Sequence, residues 1–259
     1  MNWTRPFAVV GGATLRTLEG LGVFGRFGLE SARALGIVGT WGPLLVNQMR
    51  RLGVDSLPIA LFIATFTGIV LSLQASYTLT GAVPLYFVGT LVGKTVMLEL
   101  GPVLTGLALS GRVGANIAAE LGTMRVSEQI DALETMAYDP LAYLVVPRVI
   151  SGVLMFPIVV IFANLVGITA GWITAINLLE MSTQEFIKGL RLFYVPFDVT
   201  YFLIKSASFG LVVTLIGSFQ GFTTSGGAEG VGIATTRAVV IASMLILVLD
   251  AFWAAVLLR

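Results

Sequence analysis

The 259 residues include no cysteine and no histidine. The first absence excludes a disulfide framework and a thiol nucleophile. The second removes the side chain most used for metal ligation and for acid–base work near neutral pH. Charge is scarce too: Asp, Glu, Lys and Arg make up 11% of the chain, against 56% hydrophobic residues. A soluble domain needs more charge than this to cover its surface. A net charge of +1 gives no argument for a polyanionic partner, so no nucleic acid is expected. The first residues do not read as a secretory signal, because Gly11, Gly12 and Arg16 interrupt the short apolar run after Arg5 and no clear cleavage site follows.

What the chain has is long uncharged runs, at Ser56–Gly93, Val149–Leu179, Ser206–Ala228 and Ala238–Leu249. Runs beyond about 18 apolar residues are long enough to cross a bilayer as helices, whereas a β-barrel would show short alternating segments. The expected fold class is all-α: a polytopic membrane protein with about five transmembrane helices. The spans are expected near Leu57–Leu79, Leu85–Gly111, Val149–Leu179, Val199–Phe222 and Ala238–Leu258. A short turn is expected at Gly81 to Pro84, a polar connection at Glu180 to Asp198 with Tyr194 and Phe197 as interface anchors, and a glycine-rich loop at 223–237.

Residues 1–50 form a separate N-terminal segment. Arg5, Arg16, Arg26, Arg33 and Arg50 alternate with Leu15, Leu18, Leu21, Phe24, Phe27 and Leu35, the pattern of an amphipathic helix lying in the membrane interface. A helix packed on a soluble partner would read the same way, and Gly20, Gly22, Gly25 and Gly28 weaken it as one continuous helix. The arginine excess places this N-terminus in the cytoplasm, and an odd number of spans then places Arg259 outside.

Gly89 to Thr95 looks like a phosphate-binding loop, but Val88 stands where the first glycine is required. Gly89 and Gly93 read instead as a small-xxx-small surface for close helix approach. Lys94, Glu99, Lys205 and Asp250 are ionisable residues within or beside apolar spans. Such groups face a protein interior or wet cavity and often pair, unless they snorkel to a membrane face. Lys205, near the start of its span, is the one most open to snorkelling; Glu99, directly before an expected helix break at Gly101-Pro102, is the least.

Between the second and third spans the chain leaves the membrane near Arg112, through a glycine-rich turn at Gly111 and Gly114, and returns after Pro147-Arg148. The loop at about 120–140 carries a short helix. Ser127 is its expected cap, Ile130, Leu133, Met136 and Ala137 its apolar face, and Glu128, Gln129, Asp131 and Glu134 its polar face. Asp139-Pro140 caps the next helix. The apolar face needs cover, and a groove on a soluble partner suits it better than an anionic leaflet.

These segments, Glu99-Leu100-Gly101-Pro102, Gly111-Arg112-Val113-Gly114, Ala118 to Met124, Glu128 to Leu133, Asp139-Pro140 and Val146-Pro147-Arg148, resemble the MlaE/YrbE family of ABC-transporter permeases. Leu203 to Ser206 and Ala234 to Val240 extend the resemblance, which covers about residues 45–259.

The resemblance implies a permease domain at 51–259 and a homodimer in the bacterial inner membrane. It implies two ABC ATPase subunits that hold ATP and magnesium, so that this chain binds no cofactor and is no enzyme itself. It also implies a hexameric MCE-domain protein in the periplasm, in some complexes a small STAS-domain subunit, and phospholipid as cargo, in the service of outer-membrane lipid asymmetry. It makes the helix around Glu128–Met136 a coupling helix, and Glu99 and Lys205 part of a lipid cavity. Some members carry an arginine before Glu-Leu-Gly-Pro where this chain has Leu98, and Lys94 is a candidate substitute. Other readings are uptake of another hydrophobic substrate such as a sterol, an intramembrane enzyme built on Glu99 and Asp250, and a passive scaffold.

Overall fold

Within a bilayer an uncharged run can satisfy its backbone only as a helix or a closed barrel. The computed structural model describes residues 5–79 and 83–258, with side chains from Leu18 onward, and holds eleven α-helices and no strand among the described residues. The expected turn at Gly81, the position of Arg259 and the side chains of Arg5, Leu15 and Arg16 lie outside the described residues. Five stretches are long and apolar enough to cross a membrane: Val38–Thr78, Phe87–Val126, Leu141–Leu178, Phe197–Phe222 and Gly227–Leu257.

The first stretch joins α2 (Val38–Leu52) to α3 (Leu57–Thr78) through a 3-10 turn, and α1 (Arg5–Ala34) precedes it. The glycines of α1 do not break it, so it is one helix. Phe24 and Phe27 do not face acyl chains as expected. Both pack edge-on against Phe219, and Phe27 also lies at a tilt on Phe222, with ring centroids 5.2, 5.4 and 5.8 Å apart, because the end of α10 (Phe197–Phe222) offers aromatic surface there. Leu18, Leu21 and Leu29 remain exposed beside Arg26 and Arg33.

Phe87–Val126 is a single rod rather than a span, a break and a loop. It comprises α4 (Phe87–Thr95), a π turn at Val96–Leu100, α5 (Gly101–Leu109), a second π turn at Ser110–Gly114, and α6 (Ala115–Val126). Gly101, Pro102, Gly111 and Gly114 therefore widen the helix without ending it. Pro102 sits in the first turn of α5, where its missing N–H is tolerated, and the wide turn before it removes the ring clash that would break an α-helix.

α7 (Gln129–Thr135) follows, then a π turn at Leu141–Val145 leading into α8 (Val146–Leu178). The polar connection holds a helix, α9 (Thr183–Leu192), started by a full capping box between Ser182 and Glu185. The Ser182 backbone N–H and then its hydroxyl hold the Glu185 carboxyl below its ordinary value of 4.5. The cap therefore adds stability above that pH and loses it as pH falls further. α10 (Phe197–Phe222) and α11 (Gly227–Leu257) complete the bundle. α11 begins eleven residues before the expected Ala238, since Gly226 and Gly227, both at positive φ, make the turn by themselves and leave Gly230 inside the helix.

Glycine pairs set the helix crossings. A Cβ on Gly68 of α3 would lie 1.9 Å from the Gly167 carbonyl oxygen of α8, and one on Gly210 of α10 would lie 2.2 Å from that of Gly152. Gly89 meets the Phe186 carbonyl of α9 in the same way, at 2.3 Å, so the small surface read at Gly89 and Gly93 serves that helix. One core, with Phe156, Phe209, Ile246 and Leu121, lies toward the α7 end; another, with Val88, Val92 and Phe186, lies under α9.

The side chain added by Gly68→Val has no room against backbone, and overpacking of this kind removes about 1–3 kcal/mol. A thermal melt of the detergent-solubilised protein should show a clear drop for Gly68→Val. Gly111→Ala, which meets nothing within 4 Å, should melt at or above the parent temperature.

Candidate functional site

The site starts from a missing hydrogen bond. Pro102 has no N–H for the carbonyl four residues earlier, which belongs to Leu98. In the π turn the Gly101 N–H reaches back to Val96, so neither residue 101 nor residue 102 gives the Leu98 carbonyl a donor. Lys205 of α10 supplies it: its Nζ donates to that oxygen at 2.9 Å. The same ammonium donates to Glu99 Oε2 at 2.6 Å and to the Tyr201 hydroxyl at 3.3 Å, and lies 2.5 Å from Asp250 Oδ1 of α11. Tyr201 in turn donates to Glu99 Oε1 at 3.4 Å, and its ring centroid is 5.0 Å from Nζ.

Lys205 is therefore a buried hub rather than a snorkelling residue. Its side chain is 0% exposed, while those of Glu99 and Asp250 are 38% and 23% exposed. The cluster lies eight residues into α10 from Phe197, or about 12 Å at ~1.5 Å per residue. Gly101 lets α8 close on the π turn, since a Cβ there would lie 1.7 Å from Asn164 Oδ1. Trp253 Nε1 donates to Ser208 Oγ at 2.9 Å and pins α11 to α10 one turn away. An apolar groove of about 310 Å³ runs between α3 and the π turn, lined by Phe66, Thr67, Val70, Leu71, Gln74 and Leu100.

Lys94 does not join this cluster. It pairs with Asp198 at 2.6 Å, and Asp198 also accepts the Val195 N–H at 3.1 Å. The pair lines a separate cavity of about 220 Å³ with Met97, Arg191 and Tyr194. Sequence reasoning missed Asp198 and Tyr201, since neither stands out inside its run. Their signal is spacing: Asp198, Tyr201 and Lys205 lie three and four residues apart, on one face of α10.

At the opposite end, Ser127 does not cap α7. Its hydroxyl donates back to Thr123 at 2.7 Å, and Glu128, at φ 60°, makes the turn instead. Ile130 is fully buried and Leu133 half-buried in the chain's own core, so this half of the expected apolar face is covered within the chain, while Met136 and Ala137 stay exposed. What faces outward is Glu128, Gln129, Asp131 and Glu134, with Met136 and Tyr138. Asp131 is paired with Arg125 at 2.5 Å. Asp139 accepts the N–H groups of Leu141 and Ala142 at 2.8 and 3.2 Å, as its capping role requires.

A network that sequence reasoning also missed ties this end together. Glu120 of α6 bridges Arg51 of α2 at 3.1 Å and Arg148 of α8 at 3.2 Å. Arg148 also donates to the Leu144 carbonyl, and Arg112 to that of Asp55. Charges at the edges of apolar runs were the available signal, but the partner of each is remote in sequence.

The family described as Permease MlaE matches residues 45–256. A probable ABC transporter permease protein of Rickettsia prowazekii is 36% identical over 93% of each chain. A probable ABC transporter permease protein of Synechocystis is 39% identical over 80% of this chain and 79% of that one. The intermembrane phospholipid transport system permease protein MlaE of Haemophilus influenzae is 37% identical over 80% of each chain.

Lys205→Met strands two carboxylates and the Leu98 carbonyl. Breaking a fully buried pair costs about 3–5 kcal/mol, and the partial exposure of both acids lowers the expected loss to roughly 2 kcal/mol. Adding Glu99→Gln and Asp250→Asn should recover most of it in the same melt. Lys94→Ala should add to Lys205→Met within about 0.5 kcal/mol, as independent sites do.

Proposed function

The chain belongs to the MlaE permease family, and from that we propose that it is the membrane subunit of an ATP-driven transporter that moves phospholipid between the bacterial inner membrane and a periplasmic MCE protein. The observation that carries the proposal is the Lys205–Glu99–Asp250 cluster, a polar patch set within apolar spans, with Leu100, the residue after Glu99, lining an apolar groove. A lipid needs both environments: the groove suits acyl chains, and the cluster suits a headgroup. Lys205 keeps both carboxylates engaged, which weighs against their use as an acid–base pair.

The α7 end carries Arg26, Arg33, Arg50, Arg51, Arg112, Arg125 and Arg148, against Lys94, Lys188 and Arg191 at the α9 end. This bias supports a cytoplasmic α7 end, with Leu257 toward the periplasm. Two ATPase subunits, holding ATP and magnesium, dock on the exposed acidic and apolar surface of α7 in a homodimer. A STAS-domain subunit belongs on the ATPase, and the service is outer-membrane lipid asymmetry. Closure of the ATPases pushes α7, and the rod Phe87–Val126 carries the movement to Glu99. The Arg51–Glu120–Arg148 bridges make α2, α6 and α8 move together.

Reconstitution with the ATPase and MCE partners in fluorescent-lipid vesicles tests this. Lys205→Met should abolish lipid transfer while pull-down of the ATPase continues; transfer at the parent rate would reject the cluster as the lipid path. Glu128→Lys with Glu134→Lys should weaken ATPase association roughly threefold to tenfold without lowering the melting temperature. Unchanged pull-down and transfer would remove α7 from the contact.

A further inference from the structure

The buried cluster is not electrically balanced. Lys205 is the only cation in ion-pairing contact with Glu99 or Asp250 among the described residues. One ammonium therefore serves two carboxylates. Its three N–H donors go to Glu99, the Leu98 carbonyl and the Tyr201 hydroxyl, and Asp250 is held beside it by charge alone, at 2.5 Å. The next cation along the rod, Lys94, is held by Asp198 at 2.6 Å and is not free to make up the deficit.

The exposure of the three groups has a direction. Lys205 lies fully behind, at 0%, while the side chains of Glu99 and Asp250 stay open to 38% and 23%. A ligand arriving at the site meets carboxylate oxygens first and never meets the ammonium. Tyr201 adds to the same polarity, because its hydroxyl hydrogen points into the cluster, toward Glu99, and is not offered outward. In a low-dielectric setting an uncompensated negative charge attracts a cation and disfavours a phosphate that brings no positive group with it.

We propose that this site selects phospholipids whose headgroup carries an ammonium, seating that ammonium against Glu99 and Asp250, over phospholipids with purely anionic headgroups. This rests on the reading of the cluster as the lipid path. The cation of a zwitterionic headgroup restores the balance that Lys205 leaves unmet. The ester-linked phosphate then points away from the carboxylates, and the acyl chains extend along the apolar spans toward the groove that Leu100, next to Glu99 in the chain, lines with Phe66 and Val70. An anionic glycerol headgroup would place a second negative charge beside two that are already only half neutralised.

The test uses the assembled transporter, purified from nanodiscs of equal phosphatidylethanolamine and phosphatidylglycerol, with mass spectrometry of the lipid it retains. The parent protein should retain phosphatidylethanolamine over phosphatidylglycerol by about twofold to fivefold, the size expected of partly exposed charge pairs. Leu98→Arg, which adds a cation next to Glu99, should shift the ratio toward phosphatidylglycerol, as should Asp250→Asn. Retention at the ratio of the surrounding bilayer, or a preference for phosphatidylglycerol, overturns the headgroup proposal alone. Retention of no lipid, with lipid transfer unaffected by Lys205→Met, overturns the lipid-path reading and this proposal with it.

Discussion

The ammonium of Lys205 decides how three helices meet. A lysine within a span costs about 2.5–3.5 kcal/mol near the helix centre unless it is partnered. α10 can therefore bury it only where α11 brings Asp250 and the π turn brings Glu99 and a free carbonyl. The requirement runs both ways, since two acids cannot sit side by side in apolar surroundings without a cation. Local backbone chemistry at Pro102 thus fixes a tertiary contact: a proline strips a hydrogen bond from one helix, and a lysine on another makes it good.

Around that contact, glycine pairs bring the helices close enough for the polar groups to reach. The α3–α8 and α8–α10 crossings are backbone-to-backbone at Gly68, Gly167, Gly152 and Gly210. Such crossings are rigid because no side chain lies between them to yield. Rigidity here and a single rod from Phe87 to Val126 connect Glu99 to the turn at Ser127 and Glu128 that leads into α7.

Span number and fold class were legible in the sequence because long uncharged runs leave the backbone no alternative. Glu99 was legible as a buried acid because of its place beside Gly101-Pro102. The sense of that motif was not: a proline in an apolar run reads as a break, and only the following geometry shows a wide turn that absorbs it. Lys205 was misjudged because distance from a span's end says nothing about which neighbours lie across from it. The same holds for Ile130, which is buried in a core shared with Leu121 and Leu144 of other elements, and for Arg51, Glu120 and Arg148, which meet from three separate helices. Residues joined by helical spacing, such as Asp198, Tyr201 and Lys205, were within reach of sequence reasoning.

The two π turns of the rod have a consequence for how this chain tolerates change in length. Each accommodates one residue more than an α-helical turn, so everything beyond it is rotated by about 100° relative to a plain α-helix. Val96–Leu100 and Ser110–Gly114 are thus phase shifters placed on either side of α5. Losing one residue from the first would leave a perfectly good helix, with its apolar composition intact, but would turn the face bearing Glu99 away from α10 or swing α5 and α6 off their packing. Hydropathy would not register such a deletion, yet the polar partners would no longer meet. In this rod the residue count between Lys94 and Ala115 is as much a determinant of the site as the identity of any side chain in it.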